Sequence, residues 1–293
     1  MHSLKKSFSI TLTVCVLSIS FCCVAQKAIV PPYFQDSWKK DYEPFRIAGN
    51  LYYVGTYDLA SYLITTPQGH ILINTGLAES VPMIKSHVEA LGFKFADIKI
   101  LLATHAHYDH VAGMAEIKKI TGASMMIHEK DATVLADGGN SDFIFGGKGS
   151  TFEPVKPDRL LHNNDTVKLG DEQVIVLHHP GHTKGACSFL FNVKDEKQTY
   201  RVLIANMPSI LDETKLSGMP GYPDVGNDYG RTLERMKTIK FDLWLSSHAS
   251  QFELHKKRKG GDAYNPKAFM DQKGYDATIN TLHEVYLKRL SAK

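Results

Sequence analysis

The chain has 293 residues, 43% of them apolar and 22% charged, with a formal net charge of +3. This is ordinary globular composition with ample length for a large core, and it excludes a disordered or collagenous chain. So small a net charge gives no electrostatic case for a nucleic-acid partner.

Residues 1–25 read as a secretory signal peptide. Lys5 and Lys6 form a positive start, an apolar stretch runs from Phe8 to about Phe21, and Cys23-Val24-Ala25 offers small residues for cleavage before Gln26. The stretch is short and lightly flanked for a membrane anchor, and Ile19-Ser20-Phe21 fits a lipobox poorly. Cleavage lowers the formal charge to +1 and leaves Cys187 as the sole cysteine, so the exported chain has no internal disulfide. Cys187 lies in the apolar run 186–191 and reads as a buried strand thiol.

After a Pro- and aromatic-rich leader (Pro31 to Phe45), strands are expected at 51–55, 61–65 and 70–74, separated by turn residues such as Pro67-Gln68-Gly69. Gly76 to Leu91 shows helical spacing, with Val81, Ile84, Val88 and Leu91 on one face. A buried strand over 98–103 is followed by a helix from about Val111 to Ile120, ending at Gly122. A strand at 123–128 and a short helix at 129–136 come next. Residues 137–157 are glycine-rich with apolar tips and read as a mobile loop.

The second half offers strands at 166–169, 173–178, 186–192 and 201–205, a long loop from Met207 to Asp228, a helix at about 229–239, a strand at 243–246 and a helix near 277–290. Strands followed by helices in each half predict an α/β chain, two packed sheets with helices outside: a four-layer αββα sandwich. The basic run His255 to Lys259 reads as a solvated face.

The chemistry concentrates at the end of strand 98–103, in Thr104-His105-Ala106-His107-Tyr108-Asp109-His110. Imidazole nitrogen and carboxylate oxygen are zinc ligands. Four such groups within six residues, fixed by a strand end, can divide between two neighbouring metals, which points to metal-assisted hydrolysis. His182, in Gly181-His182-Thr183, and His248, in Ser247-His248-Ala249, also follow strands and join the candidate set. His178 and His179 precede Pro180 and are assigned to packing or backbone support; Tyr108 is assigned to spacing and packing.

The His-x-His-x-Asp-His cluster, the Gly-His-Thr segment and the later histidine resemble the metallo-β-lactamase superfamily, with a ligand set similar to subclass B3. The stretches 42–61, 177–188 and 247–258 look like the GOB-type branch, although many members of that branch carry Gln at the first ligand position and this chain has His105. The resemblance implies two zinc ions per chain, one on His105, His107 and His182 and completed by hydroxide, the other on Asp109, His110 and His248. It implies one metallo-β-lactamase domain over 26–293, periplasmic and monomeric, with no membrane contact after signal cleavage. The implied activity is hydrolysis of the β-lactam amide of penicillins, cephalosporins and carbapenems, with Asp109 in the mechanism and Ser209 touching the substrate carboxylate. Relatives with a bridging aspartate near 207 hydrolyse thioesters; Met207 is a poor zinc ligand and argues against that site. A lactone or thioester hydrolase, and a non-catalytic zinc-binding exported protein, are the alternatives. Asn74-Thr75, ending a strand near the cluster, are candidates to support the ligands.

Overall fold

The computed structural model describes Ile29 and residues 32–292; the expected signal peptide lies outside them. Seven strands form the first sheet in sequence order: β1 (Phe45–Ala48), β2 (Leu51–Tyr53), β3 (Tyr62–Thr66), β4 (Gly69–Ile73), β5 (Ile98–Leu102), β6 (Ser124–His128) and β7 (Arg159–Leu161). β1 to β4 pair antiparallel, and β4 to β7 pair parallel. The parallel pairs need crossovers, and helices supply three of them. α1 (Val81–Ala90) joins β4 to β5, α2 (Tyr108–Val111) and α3 (Met114–Thr121) join β5 to β6, and α4 (Ala132–Ala136) precedes β7.

The second sheet holds β8 (Thr166–Leu169), β9 (Glu172–His178), β10 (Cys187–Lys194), β11 (Thr199–Ala205) and β12 (Leu243–Ser246), side by side in that order. Its pairs are antiparallel except β11–β12, which α5 (Val225–Met236) connects. α6 (Leu254–Lys257) and α7 (Gln272–Ser291) follow.

Side chains alternate across each strand, so neighbouring residues serve different layers. Ile71, Ile73, Ile100 and Leu102 join one buried cluster with Val176, Phe189, Ile204 and Leu245 of the second sheet. Leu72 and Leu101, on the opposite face, pack with Val81, Ile84 and Val88 of α1 and Met114 and Ile117 of α3. Leu233 and Met236 of α5 and Tyr275 and Ile279 of α7 cover the second sheet. The result is the expected αββα sandwich.

Several elements differ from the sequence reading. β1 begins at the last residue assigned to the leader, and β7 falls in a segment with no strand signal. α5 begins at Val225 and α7 at Gln272, four and five residues before their expected starts. Glycines hide both helix starts, and both serve close packing: a Cβ on Gly226 would lie 2.1 Å from the Leu216 carbonyl oxygen, and one on Gly274 would lie 2.1 Å from Asp271 Oδ2. The Asp271 carboxylate caps α7 by accepting from Gly274 N–H at 2.9 Å. The run 255–259 is only partly a solvated face. His255 stacks on Tyr57 and its Nε2 lies 2.7 Å from the Tyr57 carbonyl. Lys257 pairs with Asp271 at 2.9 Å, and Arg258 pairs with Glu43 at 2.6 Å. Cys187 is a buried strand thiol, as expected, and burial pushes its pKa up.

Candidate metal centre

The carboxyl ends of β5, β9 and β12 meet at one edge of the sandwich, and each is followed by a histidine-bearing loop. Cross-sheet bonds hold this edge. Cys187 N–H donates to the Thr104 carbonyl at 2.8 Å, Ala60 N–H to the Ser247 carbonyl at 3.1 Å, and Ala249 N–H to the Asp58 carbonyl at 2.7 Å. Asn74, in the left-handed region at φ 58°, accepts Thr104 N–H on Oδ1 at 3.0 Å. Thr75 N–H donates to the His110 carbonyl at 2.8 Å. Asn74 and Thr75 therefore support the histidine loop, as the sequence suggests.

The six candidate ligands converge. Ligand atoms of His105, His107 and His182 lie within 4.8 Å of one another, as do those of His105, Asp109 and His110. Asp109 Oδ2 stands 3.2 Å from His110 Nε2 and 3.3 Å from His248 Nε2, which brings His248 into the group. All of these side chains except His248 are buried. Ser209 and Met207 line the same cleft of about 200 Å³, with Tyr33, Trp38 and Phe145 among its walls.

Three of the imidazoles are oriented by what a second ring nitrogen touches. His182 Nδ1 donates to the Ser209 carbonyl at 2.9 Å. His248 Nδ1 lies 3.2 Å from Asp58 Oδ2, which also accepts from Trp38 Nε1–H at 3.2 Å. His105 Nδ1 is 3.3 Å from Thr104 Oγ1. Asp131 ties two loops together: it accepts from Ala106 N–H at 2.9 Å, Thr183 Oγ1–H at 2.7 Å and Gly185 N–H at 2.6 Å. Asp58, Asp131 and Asp142 are the residues at this edge that sequence reasoning missed. An isolated aspartate in a turn reads as a local cap, and only the fold brings them to the histidines.

The charge states of His105, His182 and Asp109 suit a cation. Burial, reinforced by His110 and His182, holds His105 well below the ordinary imidazole pKa. Burial, reinforced by His107, lowers His182 to about 3. Burial would raise Asp109, but His110 and His248 beside it hold its carboxyl well below the usual carboxylate range. Burial would likewise lower His248, but hydrogen bonds to Asp109 and Asp58 carry it up to about 9. Neutral His105 and His182 and an ionised Asp109 are forms a metal needs, whereas His248, and His107, which burial would lower but Asp142 raises, hold protons that a bound metal would displace. His105 Nε2 is buried with no hydrogen-bond partner, a cost that a bound cation would remove. The donor set of nitrogen and oxygen therefore fits a divalent metal of the zinc kind.

His178 and His179 stay outside the group. His178 stacks on His128 at 4.0 Å and bonds the Lys184 carbonyl at 2.8 Å, and His179 bonds Ser188 Oγ at 2.7 Å. Tyr108 packs beneath Trp38 and donates its hydroxyl to the Tyr33 carbonyl at 2.6 Å. Loop 137–157 carries no regular element and is folded onto the site, with Phe152 buried and Phe145 5.1 Å from the His107 ring.

The model of the metallo-beta-lactamase superfamily matches residues 56–195. A solved β-lactamase from Chitinophaga pinensis is 63% identical, with a TM-score of 0.87 over 88% of this chain and 97% of that one. The class B3 di-zinc metallo-β-lactamase LRA-12, from an Alaskan soil metagenome, is 60% identical, with a TM-score of 0.88 over 90% and 100% of the two chains. GOB-18 from Elizabethkingia meningoseptica, a metallo-β-lactamase, is 53% identical, with a TM-score of 0.90 over 92% and 100%. The chain spans about half the length of the curated relatives it matches first, which are acyl-coenzyme A thioesterases. Near-complete coverage at these identities, on the same sandwich, places the chain in the metallo-β-lactamase superfamily and, within it, among the class B3 enzymes that include GOB-18.

Proposed function

We propose that this protein hydrolyses the β-lactam amide bond of penicillins, cephalosporins and carbapenems with two zinc ions, and so confers resistance to these antibiotics. The observation that carries the reading is the convergence of His105, His107, Asp109, His110, His182 and His248 at one sheet edge. His105, His107 and His182 would hold one ion, and Asp109, His110 and His248 the other. Bound zinc supplies Lewis acidity, lowering the pKa of water to about 7 and polarising a carbonyl.

The chain's own residues set the geometry for that chemistry. Asp109, ionised and touching both His110 and His248, offers a fixed acceptor for a proton of an attacking water. Ser209 lines the cleft with its hydroxyl 3.4 Å from His182 Nδ1 and is the proposed contact for the substrate carboxylate. Tyr33, Trp38 and Phe145 supply apolar walls for the drug's ring system. Met207 presents no carboxylate to the cleft, which supports the lactam reading over a thioester one.

Residues 1–25 would direct export and 26–293 would act as a monomeric periplasmic domain. No helix among the described residues is long and apolar enough to cross a membrane.

The test is hydrolysis of a penicillin and a carbapenem by the purified chain, with zinc and then with chelator. Turnover that chelator stops and zinc restores is expected. Two zincs bound without turnover, together with cleavage of a thioester, would move the assignment to a thioester hydrolase.

A further inference from the structure

Asp142 lies in the loop between α4 and β7, outside the ligand set, with a carboxylate that serves two neighbours at once. It is 8% exposed. Its Oδ2 stands 3.3 Å from His107 Nε2. Its Oδ1 accepts the N–H groups of Ile144 at 2.9 Å and Phe145 at 2.7 Å. Its backbone is held as well: Asp142 N–H donates to the Gly139 carbonyl at 3.1 Å, and Gly146 N–H to the Asp142 carbonyl at 3.0 Å. The turn so made sets the Phe145 ring 5.1 Å from His107 and 6.0 Å from Tyr108.

His107 Nε2 is buried without a well-aligned hydrogen bond, and the Asp142 carboxylate oxygen 3.3 Å away is the charged group that faces it; because a carboxylate only accepts, it favours a hydrogen on that nitrogen. In the neutral ring, with the hydrogen on Nε2 facing Asp142, Nδ1 keeps the lone pair. That edge is the one left for an ion shared with His105 and His182.

We propose that Asp142 is a positioning residue for this metal site: it fixes His107 in the tautomer that presents Nδ1, and the same carboxylate folds residues 142–146, so ion binding and the order of this turn are coupled. The inference rests on the reading that His105, His107 and His182 hold zinc. A partner that sets the tautomer and angle of a ligating imidazole typically changes metal affinity by 10- to 100-fold.

The substitution Asp142→Asn separates the two roles. The amide oxygen can still accept from Ile144 and Phe145, while the amide nitrogen then faces His107 Nε2–H, donor against donor. Competitive zinc titration of the full chain, wild type and D142N, is expected to show one of two sites weakened roughly 10- to 100-fold and the other unchanged. Nitrogen NMR of the wild-type histidines is expected to find His107 protonated on Nε2, and hydrogen exchange at Ile144 and Phe145 is expected to slow on zinc addition. If D142N loses the turn altogether, the wild-type measurements decide: a proton on His107 Nδ1, or exchange indifferent to zinc, overturns the proposal. Two zincs held by D142N at wild-type strength overturn it while leaving the proposed function standing. A wild-type chain that takes up no zinc overturns both.

Discussion

Asp58 Oδ2 lies 3.2 Å from His248 Nδ1, and Asp109 Oδ2 lies 3.3 Å from Nε2 on the other side of the same ring. His248 is thus held between two carboxylates, one reaching it from the turn before β3 and the other from α2. Asp58 is not among the candidate ligands. Its work is to fix the ring, with Trp38 Nε1–H and Ser250 N–H fixing Asp58 in turn.

Replacing Asp58 by Ala is therefore expected to weaken the Asp109–His110–His248 site roughly 10- to 100-fold while leaving the other site intact. Stepwise zinc titration measures this directly. Equal loss at both sites would show that Asp58 supports the whole edge rather than one ring.

Asp109→Ala removes the acceptor shared by His110 and His248. Turnover of a penicillin is expected to vanish with the circular dichroism spectrum preserved, because the side chain sits at the cleft rather than in the apolar core. Turnover within a few-fold of wild type would remove Asp109 from the mechanism.

Acid stability gives a prediction away from the ligands. Burial, with His178 beside it, lowers His179 to about 3 in the folded chain, against about 6.5 for a free imidazole. The unfolded chain therefore binds the extra proton below pH 6.5. Stability from this group is fully present above pH 6.5 and falls toward pH 3, with a slope of about 1.4 kcal/mol per pH unit. Urea midpoints measured in chelator should drop more steeply for wild type than for His179→Gln between pH 6 and 4. Parallel curves would mean that His179 already takes up its proton in the folded state.

Cys187 is fully buried, its thiol near the Ala103 carbonyl at 3.7 Å, and burial raises its pKa. In a chain cleaved before Gln26, a thiol reagent should label it only as fast as the protein unfolds. Rapid labelling of the folded protein would require an opening at the start of β10.

The candidate ligands are legible because chemistry and chain position coincide. His105 to His110 are contiguous after an apolar strand, and His182 and His248 each follow a strand of their own, so local pattern alone collected them. The aspartates behind them were not legible. Asp58 meets a histidine 190 residues away, and Asp142 sits among glycines where an Asx turn is the ordinary reading. The sandwich followed from alternating apolar strands, whereas β7, with two exposed residues out of three, carries too little burial to announce itself. In α5, Gly226 and Gly230 weaken the helical signal, yet Gly226 has no room for a side chain against the Leu216 backbone.

Asp131 binds the loop after β5 to the loop after β9 through three hydrogen bonds, and the ligands of the proposed first site ride on those two loops. Tyr33, Trp38 and Phe145, which face the substrate space, come from the leader and from the loop after α4 instead. Reactive floor and recognising walls are thus separate pieces of chain. Changes of size or shape at the walls can retune which drugs enter while the floor keeps its spacing, so a shift in substrate range need not carry a loss of catalytic power.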